Sequence, residues 1–593
     1  MQRLTILIVL ALLWGGGCER SSPPSPSNPV QNIAPPPTHF PPQPDGLPEP
    51  VDPSGAEAAD DGLSPADTPV HFQEVTRTCG VDFSFSSGRS AGEFAIIESL
   101  GGGVGIFDYD RDGRADLMFA GGGTLDNRTT GGKPCGLFRN QGDMHFVPVT
   151  TVANAEASQF FSQAISAADF DGDGFQDVAV SGYGGVQLLR NQGDGTFTPY
   201  SPLVSNDEQA WSTSLAWGDL DNNGHLDLYV THYVDWSWSK HPLCVGQGDV
   251  KREVCPPQEF AGVSDVIYFN NGQGFQRESQ GAGLVSGGKG LGVAIADLNN
   301  DNSPDIYVAN DTVDNFLYLN DGTGKFAESA VLAGVSGNDV GVSTGSMGVC
   351  ILDANGDQRP DVLVTNFERE LYALYRNDSG GFFANTSRMS GFAAFPPAYV
   401  GFGTVALDFD FDGDQDLVVA NGHVWYASPH SPFLQKSLVF ENRDGSFQRL
   451  PEVDYFAVQH TGRGLASGDL NNDGAADLVF SNLEEPVAVV QAAAPLENLW
   501  ATVRLVGTRS NRDAVGASVV YQSAQETAQM RVVLGGGSYL SHSDQRSLFY
   551  WSNSATDGTQ EKSVVVRWPN GTAEEFKLQA ATENILVEGS GTH

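Results

Sequence analysis

The feature that most constrains this chain is a nine-residue acidic loop that returns seven times, each time between two short apolar runs. The first copy runs from Asp108 to Asp116, and the others begin at Asp169, Asp219, Asp297, Asp353, Asp408 and Asp469. Positions 1, 3, 5 and 9 carry Asp or Asn in every copy. In a tight turn, alternate carboxylates point to one side and the carbonyl oxygen at position 7 joins them. The spacing therefore predicts calcium-binding loops.

The predicted metal ligands are the oxygen-bearing side chains at positions 1, 3, 5 and 9. In chain order they are Asp108, Asp110, Asp112 and Asp116 in loop one; Asp169, Asp171, Asp173 and Asp177 in loop two; Asp219, Asp221, Asn223 and Asp227 in loop three; Asp297, Asn299, Asp301 and Asp305 in loop four; Asp353, Asn355, Asp357 and Asp361 in loop five; Asp408, Asp410, Asp412 and Asp416 in loop six; and Asp469, Asn471, Asp473 and Asp477 in loop seven.

The seven loops are not equally complete. Loops one, two and six carry carboxylates at all four positions and a glycine at the sharp turn. Loops three and seven trade one carboxylate for an amide, which lowers calcium affinity but still supplies an oxygen. Loops four and five are predicted to be the weakest, because Asn302 and Gln358 replace the turn glycine.

Two alternatives to calcium are open from the residues alone. An Asx turn closed by its own hydrogen bonds explains any single loop without a metal. It does not explain how the repulsion among the carboxylates of each loop is offset in all seven copies. Magnesium demands stricter octahedral geometry and keeps several waters, whereas calcium suits a flexible cage of protein oxygens. We expect about five to seven calcium ions with a structural role.

The residues around each loop predict a small antiparallel sheet of about four strands. An apolar run such as Gly292–Ala296 precedes the loop, and an alternating run such as Asp305–Ala309 follows it. A second turn comes next, as in Asn191–Phe197, where Asn and Gly are expected to supply positive φ angles. Seven such units at intervals of 50 to 78 residues predict an all-β fold, a seven-bladed β-propeller.

Closure of the ring distinguishes a propeller from an open solenoid. Loop seven is followed by one strand-like run but by no second turn leading to a Phe. The segment Phe72–Thr76 is similar to Phe326–Ala330, which follows the second turn of the fourth unit. We therefore expect the N-terminal segment to supply the last strand of the last blade, so that no edge is left exposed.

The two ends of the chain set the domain boundaries. Residues 1–18 are predicted to be a signal peptide, because a basic start, an apolar run of 11 residues and three glycines precede Cys18. Eleven apolar residues are too few to span a bilayer. Residues 19–69 hold 15 of the 32 prolines and are predicted to form a disordered linker. The propeller then occupies residues 70–494, and a small β-domain occupies residues 495–593.

The cysteines favour an exported protein. The small residues before Cys18 resemble a bacterial lipobox, in which Cys18 is acylated; the alternative is an ordinary secretory signal. A lipoprotein of this kind is anchored in the bacterial outer membrane or at the cell surface, and otherwise the chain is secreted. Cys244 and Cys255 are predicted to form a disulfide in an oxidising compartment. A pair between Cys79 and Cys135 stays open, and Cys350 is expected to be a buried free thiol.

The charge balance excludes two classes of partner. The net charge is −41, and 25 of the 73 acidic residues lie in the seven loops. An acidic surface repels nucleic acid and anionic lipid. We therefore expect no nucleic-acid partner, and membrane contact only through the N-terminal lipid anchor.

Two stretches resemble known families. The repeats resemble the FG-GAP or VCBS type found in integrin α-subunits, whose propellers carry the same acidic loop. The segments Leu505–Ala517, Gly536–Ser541 and Val566–Gly571 resemble the ASPIC/UnbV domain of the cartilage acidic protein family. The resemblance implies a secreted, calcium-binding propeller with a C-terminal β-domain and no established enzymatic activity. One segment departs from the pattern: Arg546–Trp551 stands where the family usually reads His-Phe-Gly-Leu-Gly.

These observations predict a monomeric, non-catalytic binding or adhesion module for a protein or glycan at the cell surface or matrix. The long connection Val230–Phe269 is the expected partner surface. The alternative is a propeller hydrolase or lyase acting on extracellular polysaccharide, with calcium as scaffold. A cluster of His, Asp and Glu converging at one mouth of the ring would favour that alternative, and His232, Asp235, Glu368 and His423 are the candidates for it. The aromatic side chains of Trp236, Trp238, Trp425 and Tyr426 either stack on a ligand or pack on one another.

Overall fold

The computed structural model describes residues 72–200, 210–246, 250–395, 398–494, 498–522, 527–552 and 562–592. The predicted signal peptide, Cys18 and the linker 19–69 lie outside the described residues. All the described residues belong to one unit, Leu63–His593.

Seven four-stranded antiparallel sheets follow one another along the chain, and each holds one acidic loop between its first and second strands. We call them blades 1 to 7. Blade 1 consists of Val104–Phe107, Asp116–Phe119, Gly136–Asn140 and Phe146–Pro148; blade 2 of Phe161–Ala168, Asp177–Tyr183, Gly185–Asn191 and Phe197–Tyr200; blade 3 of Ser212–Gly218, Asp227–His232, Val266–Asn270 and Phe275–Glu278; and blade 4 of Gly290–Ala296, Asp305–Asn310, Phe316–Asn320 and Phe326–Glu328.

The remaining blades repeat the same order of strands. Blade 5 consists of Val349–Leu352, Asp361–Val364, Ala373–Asn377 and Phe383–Asn385; blade 6 of Gly401–Leu407, Asp416–Asn421, Leu438–Arg443 and Ser446–Arg449; and blade 7 of Gly462–Gly468, Asp477–Asn482, Ala488–Ala492 and the N-terminal strand Phe72–Glu74. The other described elements of this part are two-stranded ribbons and short helices: ribbons Gly123–Thr124 with Gly131–Gly132 and Gln435–Lys436 with Gln459–His460, α-helices Thr76–Cys79 and Ala330–Ala333, and 3-10 helices Arg89–Ala91, Ile96–Ser99, Asp126–Arg128, Trp238–Lys240, Pro257–Glu259, Gln280–Ala282, Phe392–Ala394 and Asp454–Ala457.

The first strands of successive blades contact one another around a closed ring, including blade 7 with blade 1. The N-terminal strand pairs antiparallel with the third strand of blade 7, with Phe72 opposite Ala492. The predicted seven-bladed propeller and its closure by the N-terminal segment are therefore confirmed. The ring leaves the first strands lining the axis.

Apolar cores between adjacent blades hold the ring together. Between blades 6 and 7, for example, Val405 and Val418 share one buried cluster with Leu465 and Phe480. Each such side chain contributes about 1.5–3 kcal/mol when it is fully buried. Because both faces of the second strands are covered, these strands are buried along their whole length, as in Asp177–Tyr183.

The C-terminal domain consists of two sheets around one core that includes Tyr521, Trp551 and Trp568. One sheet has the order Ser547–Ser552, Asn498–Val506 and Glu583–Val587, and the other has the order Gln529–Val532, Ser518–Tyr521, Lys562–Arg567 and Ala573–Leu578. The small C-terminal β-domain expected from the sequence is therefore confirmed.

An extended segment of this domain, Gly535–Asp544, enters the axis of the propeller, and we call it the axial segment. It exchanges hydrogen bonds with the first strands of blades 1, 2, 3, 5, 6 and 7. The amides of Ser538 and His542, for example, donate to the carbonyl oxygens of Val349 (2.6 Å) and Val104 (2.8 Å). Backbone groups that face the axis thus find partners, and the C-terminal domain is held on the face that carries the acidic loops.

The described cysteines form one disulfide and three free thiols. Cys244 and Cys255 form a disulfide, and Cys350 is a buried free thiol, as predicted. Cys79 and Cys135 are separate buried free thiols, so the pair left open above does not form. Within the described part of the chain, no helix is both long and apolar enough to cross a membrane.

Candidate metal centres

All seven acidic loops share one hydrogen-bonding scheme, which loop two illustrates. The carboxylate of Asp169, at position 1, accepts the amides of Gly172 (2.8 Å), Asp173 (3.0 Å) and Gly174 (2.7 Å). The amides at positions 5 and 6 bind the first Asp in the other six loops as well. The Asx-type closure considered for the sequence is therefore present, and it determines the turn.

The Asp at position 9 is the most buried ligand candidate. Asp177 accepts the amide of Phe170 (3.2 Å) with one oxygen and that of Asn191 (2.7 Å) with the other. The equivalent residues of the other loops are all buried and bind the amide at position 2 of their loop. This Asp is the first residue of the second strand, so the strand holds its carboxylate close to the carboxylate at position 1.

In four loops the structure gathers three carboxylates into one cluster. Oxygens at positions 1, 3 and 9 lie within 4.8 Å of one another in loops one, two, three and six. Asp110, Asp221 and Asp410, all at position 3, each keep one buried oxygen without a hydrogen-bond partner among the described residues. Such an oxygen is costly to bury unless something satisfies it. A divalent cation coordinated by oxygen ligands meets that need.

Arginine side chains pair with some of the loop carboxylates, as Arg139 does with Asp110 (2.5 Å), but the position 9 carboxylates have no ion pair among the described residues. Burial, followed by the charges of neighbouring carboxylates, raises the pKa of Asp177 to about 9 and that of Asp416 to about 10. The pKa values of Asp227 and Asp305 are raised to about 8 for the same reasons. A bound divalent cation is the largest local charge of such a site and reverses this effect on the carboxylates.

Loops four, five and seven form a second group. Their position 3 is Asn, and its amide nitrogen donates to the position 5 carboxylate, for instance from Asn471 to Asp473 (2.8 Å). One carboxylate repulsion is thereby replaced by a hydrogen bond. The geometry groups loop seven with loops four and five, whereas the sequence grouped it with loop three.

The residues that replace the turn glycine keep the loop conformation. Asn302 has a φ angle of 66° and Gln358 one of 63°, so both adopt the left-handed conformation of the glycines. The amide of Gln358 still donates to Asp353 (2.8 Å). The strain for such a residue is about 1–2 kcal/mol. The weaker affinity expected of loops four and five stays a prediction.

One set of structural residues at the second turns was not predicted from the sequence. In blades 1 to 6 an Asn is the last or, in blade 6, the penultimate residue of the third strand, and its side-chain amide donates to the position 2 carbonyl in the loop of the preceding blade. These residues are Asn140, Asn191, Asn270, Asn320, Asn377 and Asn442. None of them has a positive φ angle, so the expectation that Asn and Gly supply positive φ angles is wrong for these Asn residues; it is confirmed for the turn glycines, such as Gly193 (72°) and Gly322 (80°). Their recurrence before the turn was the available signal.

Of the four residues considered for acid–base chemistry, Glu368 and His423 contact each other, whereas His232 and Asp235 have other partners. Glu368 and His423 form a buried pair with 3.3 Å between Oε2 and Nε2, and Ser431 donates to the same carboxylate. His232 is buried beside Ser212, and Asp235 pairs with Lys240. The four residues therefore do not form the cluster that would favour the hydrolase or lyase alternative.

The aromatic side chains of the long connections pack on other rings. Trp236 is buried, with ring centroids 5.1 Å from both Tyr183 and Trp238. Trp425 is half-buried, 5.7 Å from the ring of Phe367. Of the two readings offered for these residues, packing is the one that the contacts support.

Hydrogen bonds tie the long connections together on the face opposite the acidic loops. Glu253, between the two disulfide cysteines, accepts the amides of Tyr426 (3.2 Å) and Ala427 (2.9 Å) from blade 6. The hydroxyl of Tyr426 donates to Glu98 (3.0 Å), and burial is the main cause that raises the pKa of Glu98 to about 7. Connections of blades 3 and 6 and the segment before blade 1 therefore meet at one place.

Known proteins share both parts of this chain. The model of the FG-GAP-like repeat matches residues 108–180, 169–230, 297–364 and 353–419, and that of ASPIC and UnbV matches residues 507–592. Cartilage acidic protein 1 of Mus musculus is 26% identical over 516 residues, which cover 82% of this chain and 73% of the relative. Cartilage acidic protein 1 of Homo sapiens is 22% identical over 521 residues, which cover 82% and 71%.

A solved structure was also similar. An Agrocybe aegerita lectin, described as recognising non-reducing terminal N-acetylglucosamine, aligns with a TM-score of 0.38 and 18% identity over 65% of this chain and 86% of the lectin. A likeness at this level carries no argument about function.

Proposed function

Since this chain is a protein of FG-GAP-like repeats with a C-terminal ASPIC and UnbV domain, we propose that it is an exported, calcium-binding propeller that acts as a non-catalytic binding module. The partner is a protein or glycan at the cell surface or matrix. Calcium stabilises the blade geometry, and the blades in turn hold the long connections in place for the partner.

The observation that carries the calcium proposal is the set of converging carboxylates with buried, unpartnered oxygens. Asp110, Asp221 and Asp410 each contribute such an oxygen beside the carboxylates at positions 1 and 9. Backbone amides bind the neighbouring carboxylates at positions 1 and 9, whereas the buried position 3 oxygens have no hydrogen-bond partner among the described residues. When bound, the ion supplies positive charge to neutralise them.

The partner surface is best assigned to the face opposite the acidic loops. The C-terminal domain covers part of the loop face through the axial segment and its contacts to loops two, six and seven. The opposite face carries the connections that Glu253, Tyr426 and Glu98 tie together, and the disulfide limits the freedom of one of them. A tied surface loses less conformational entropy when it binds.

Export and anchoring rest on two features. The disulfide between Cys244 and Cys255 needs an oxidising compartment. The N-terminal sequence has the order of a signal peptide, and Cys18 is the proposed site of acylation in a bacterial outer membrane or at a cell surface.

The test is a screen of the purified full chain on glycan and extracellular-protein arrays, in calcium and in chelator. We expect saturable binding that is lost in chelator and is weakened by Leu243→Ala, which truncates an exposed side chain of the connection Val230–Phe269. The matched control is Val331→Ala, which removes an exposed side chain elsewhere. Depolymerisation of a polysaccharide by the chain, with no saturable binding, contradicts the proposal and favours the hydrolase or lyase.

A further inference from the structure

Two neighbouring acidic loops, six and seven, are contacted by a strand of the C-terminal domain. The contacts come from Arg546 and from Tyr550 in the strand Ser547–Ser552. Both residues belong to the segment in which this chain departs from the pattern that its C-terminal domain resembles. Arg546 follows the axial segment by two residues, so one stretch of chain contacts both the axis and the loops.

Arg546 binds the backbone and a side chain of loop seven. One Nη donates to the carbonyl oxygen of Asp469, at position 1, and the other donates to the side-chain oxygen of Asn472, at position 4; both distances are 2.8 Å. Its third partner is Asp544, at the end of the axial segment, whose carboxylate accepts from Nε at 2.7 Å. The guanidinium thus joins the loop to the axial segment.

Tyr550 contacts both loops at once. Its hydroxyl donates to the carbonyl oxygen of Gly474, at position 6 of loop seven (2.9 Å), and its ring lies 4.9 Å from that of Phe411, at position 4 of loop six. The ring of Trp500 packs against the same glycine so closely that a Cβ on residue 474 would lie 2.2 Å from the ring. These contacts surround the turn next to the position 7 carbonyl.

Loop four supplies an internal comparison. Its Asn299 and Asp301 make the same hydrogen bonds as Asn471 and Asp473 of loop seven, with nearly equal distances. The C-terminal domain approaches loop four at Gly571, beside Asn302, but no hydrogen bond joins them among the described residues. The two loops therefore differ in what the C-terminal domain contacts and at position 6, where loop four has Asn302 and loop seven has Gly474.

We propose that calcium binding at loop seven and seating of the axial segment are thermodynamically coupled through Arg546 and Tyr550. The inference rests on the proposed calcium function. Loop seven in its ion-binding conformation presents the Asp469 and Gly474 carbonyls to the C-terminal domain, and the seated domain holds that conformation. Linkage requires the effect to be reciprocal.

The experiment measures hydrogen–deuterium exchange of the axial segment in the full chain, together with bound calcium by metal analysis. The amides of Ser538, Leu540, His542 and Asp544 donate to the propeller and report on seating. We expect chelator to speed their exchange about five-fold or more, the lower end of typical coupling. In calcium, Asp473→Asn speeds their exchange as well, whereas the matched Asp301→Asn changes it less than about two-fold.

The variant Tyr550→Phe tests the reciprocal effect with both loops intact. It keeps the ring contact to Phe411 and removes only the hydrogen bond to Gly474. We expect it to raise the calcium concentration needed for half-maximal protection of the axial segment, with the number of ions at saturation unchanged.

The outcomes separate the inference from the function on which it rests. Calcium uptake together with exchange that is the same in calcium and chelator overturns the coupling and leaves the calcium proposal intact. Equal effects of Asp473→Asn and Asp301→Asn, or no effect of Tyr550→Phe, also overturn it. A wild-type chain that takes up no calcium overturns the proposed function itself.

Discussion

The side-chain amide of Asn191 donates a hydrogen bond of 2.8 Å to the carbonyl oxygen of Tyr109, in the acidic loop of the preceding blade. The same amide also binds the carbonyl oxygen of Gln176 in its own loop (3.1 Å), and its oxygen accepts the amide of Gly193 (3.0 Å). One buried side chain therefore joins two loops and a turn. Equivalent links in five other blades make the loops parts of one network.

We predict that Asn191→Ala lowers the free energy of unfolding by about 2–4 kcal/mol, because it removes several buried hydrogen bonds and leaves two carbonyl oxygens without partners. Chemical denaturation of the full chain in excess calcium measures this. The matched control is Asn271→Ala, an exposed Asn whose effect should stay within about 0.5 kcal/mol. Equal effects of the two substitutions would contradict the role given to Asn191.

The repeated pattern predicted the blades and the closure of the ring, whereas individual long-range contacts were not predicted. Loop spacing and the flanking apolar runs gave the blades, and the likeness of Phe72–Thr76 to Phe326–Ala330 gave the closure, because both are local patterns. The Asn191–Tyr109 link joins residues 82 positions apart, so no local pattern contains it. The sequence of the axial segment was recognisable as a family motif, but its position in the axis was not predicted. Its hydrogen-bond partners come from several blades, which are brought together only when the ring closes.

For the candidate metal centres, the sequence predicted which side chains come together but not how they are oriented or what the C-terminal domain contacts. Positions 1, 3 and 9 converge as the spacing indicated in four loops. The grouping of loop seven with loops four and five follows from the amide of Asn471, which turns to Asp473, and spacing alone does not give a side-chain orientation. The contact of Tyr550 with Gly474 depends on the docking of a whole domain.

A further carboxylate should strengthen a weak loop. We predict that Asn299→Asp in loop four raises its calcium affinity several-fold, because the number of charged ligands tunes the affinity of such sites. Titration with calcium, followed by calorimetry, measures the change. Asn271→Asp adds the same charge outside the loops and should leave the binding curve as it is. If the two variants bind calcium alike, position 3 of loop four is not a ligand.

The response to pH should differ between the calcium-saturated and the chelated protein. Burial raises the pKa of Asp177 to about 9 and that of Asp305 to about 8, far above the usual value of 3.8 for Asp. Between the usual pKa and these raised values, the folded chelated chain therefore binds more protons than the unfolded chain. Its stability rises as the pH falls from about 9 towards 5. Calcium competes with the same protons, so its stabilising effect shrinks over that range.

Thermal unfolding of the full chain from pH 8.5 to about 5.5, in calcium and in chelator, measures this prediction. We expect the melting temperature in chelator to rise as the pH is lowered and the gap between the two conditions to narrow. A gap that stays constant across the range would show that protons and calcium do not share the loop carboxylates.

The disulfide should stabilise the long connection of blade 3 without affecting the stability of the propeller ring. We predict that a double substitution, Cys244→Ser with Cys255→Ser, destabilises this segment by about 2–3 kcal/mol in the chain-entropy estimate for a loop of this size. Because Glu253 then loses its fixed position, exchange of the Tyr426 and Ala427 amides should accelerate. The amide of Val349, in the ring, serves as the internal control. Unchanged exchange at Tyr426 would contradict the proposed tie.

The central claim is that calcium in the acidic loops stabilises the propeller. The most direct test is the melting temperature of the full chain in excess calcium, in excess magnesium and in chelator, with the number of bound ions measured on the same samples. The account predicts a rise specific to calcium, with about five to seven ions bound. No shift, with fewer than about two ions bound, would contradict it and would leave the loops as turns closed by their own hydrogen bonds.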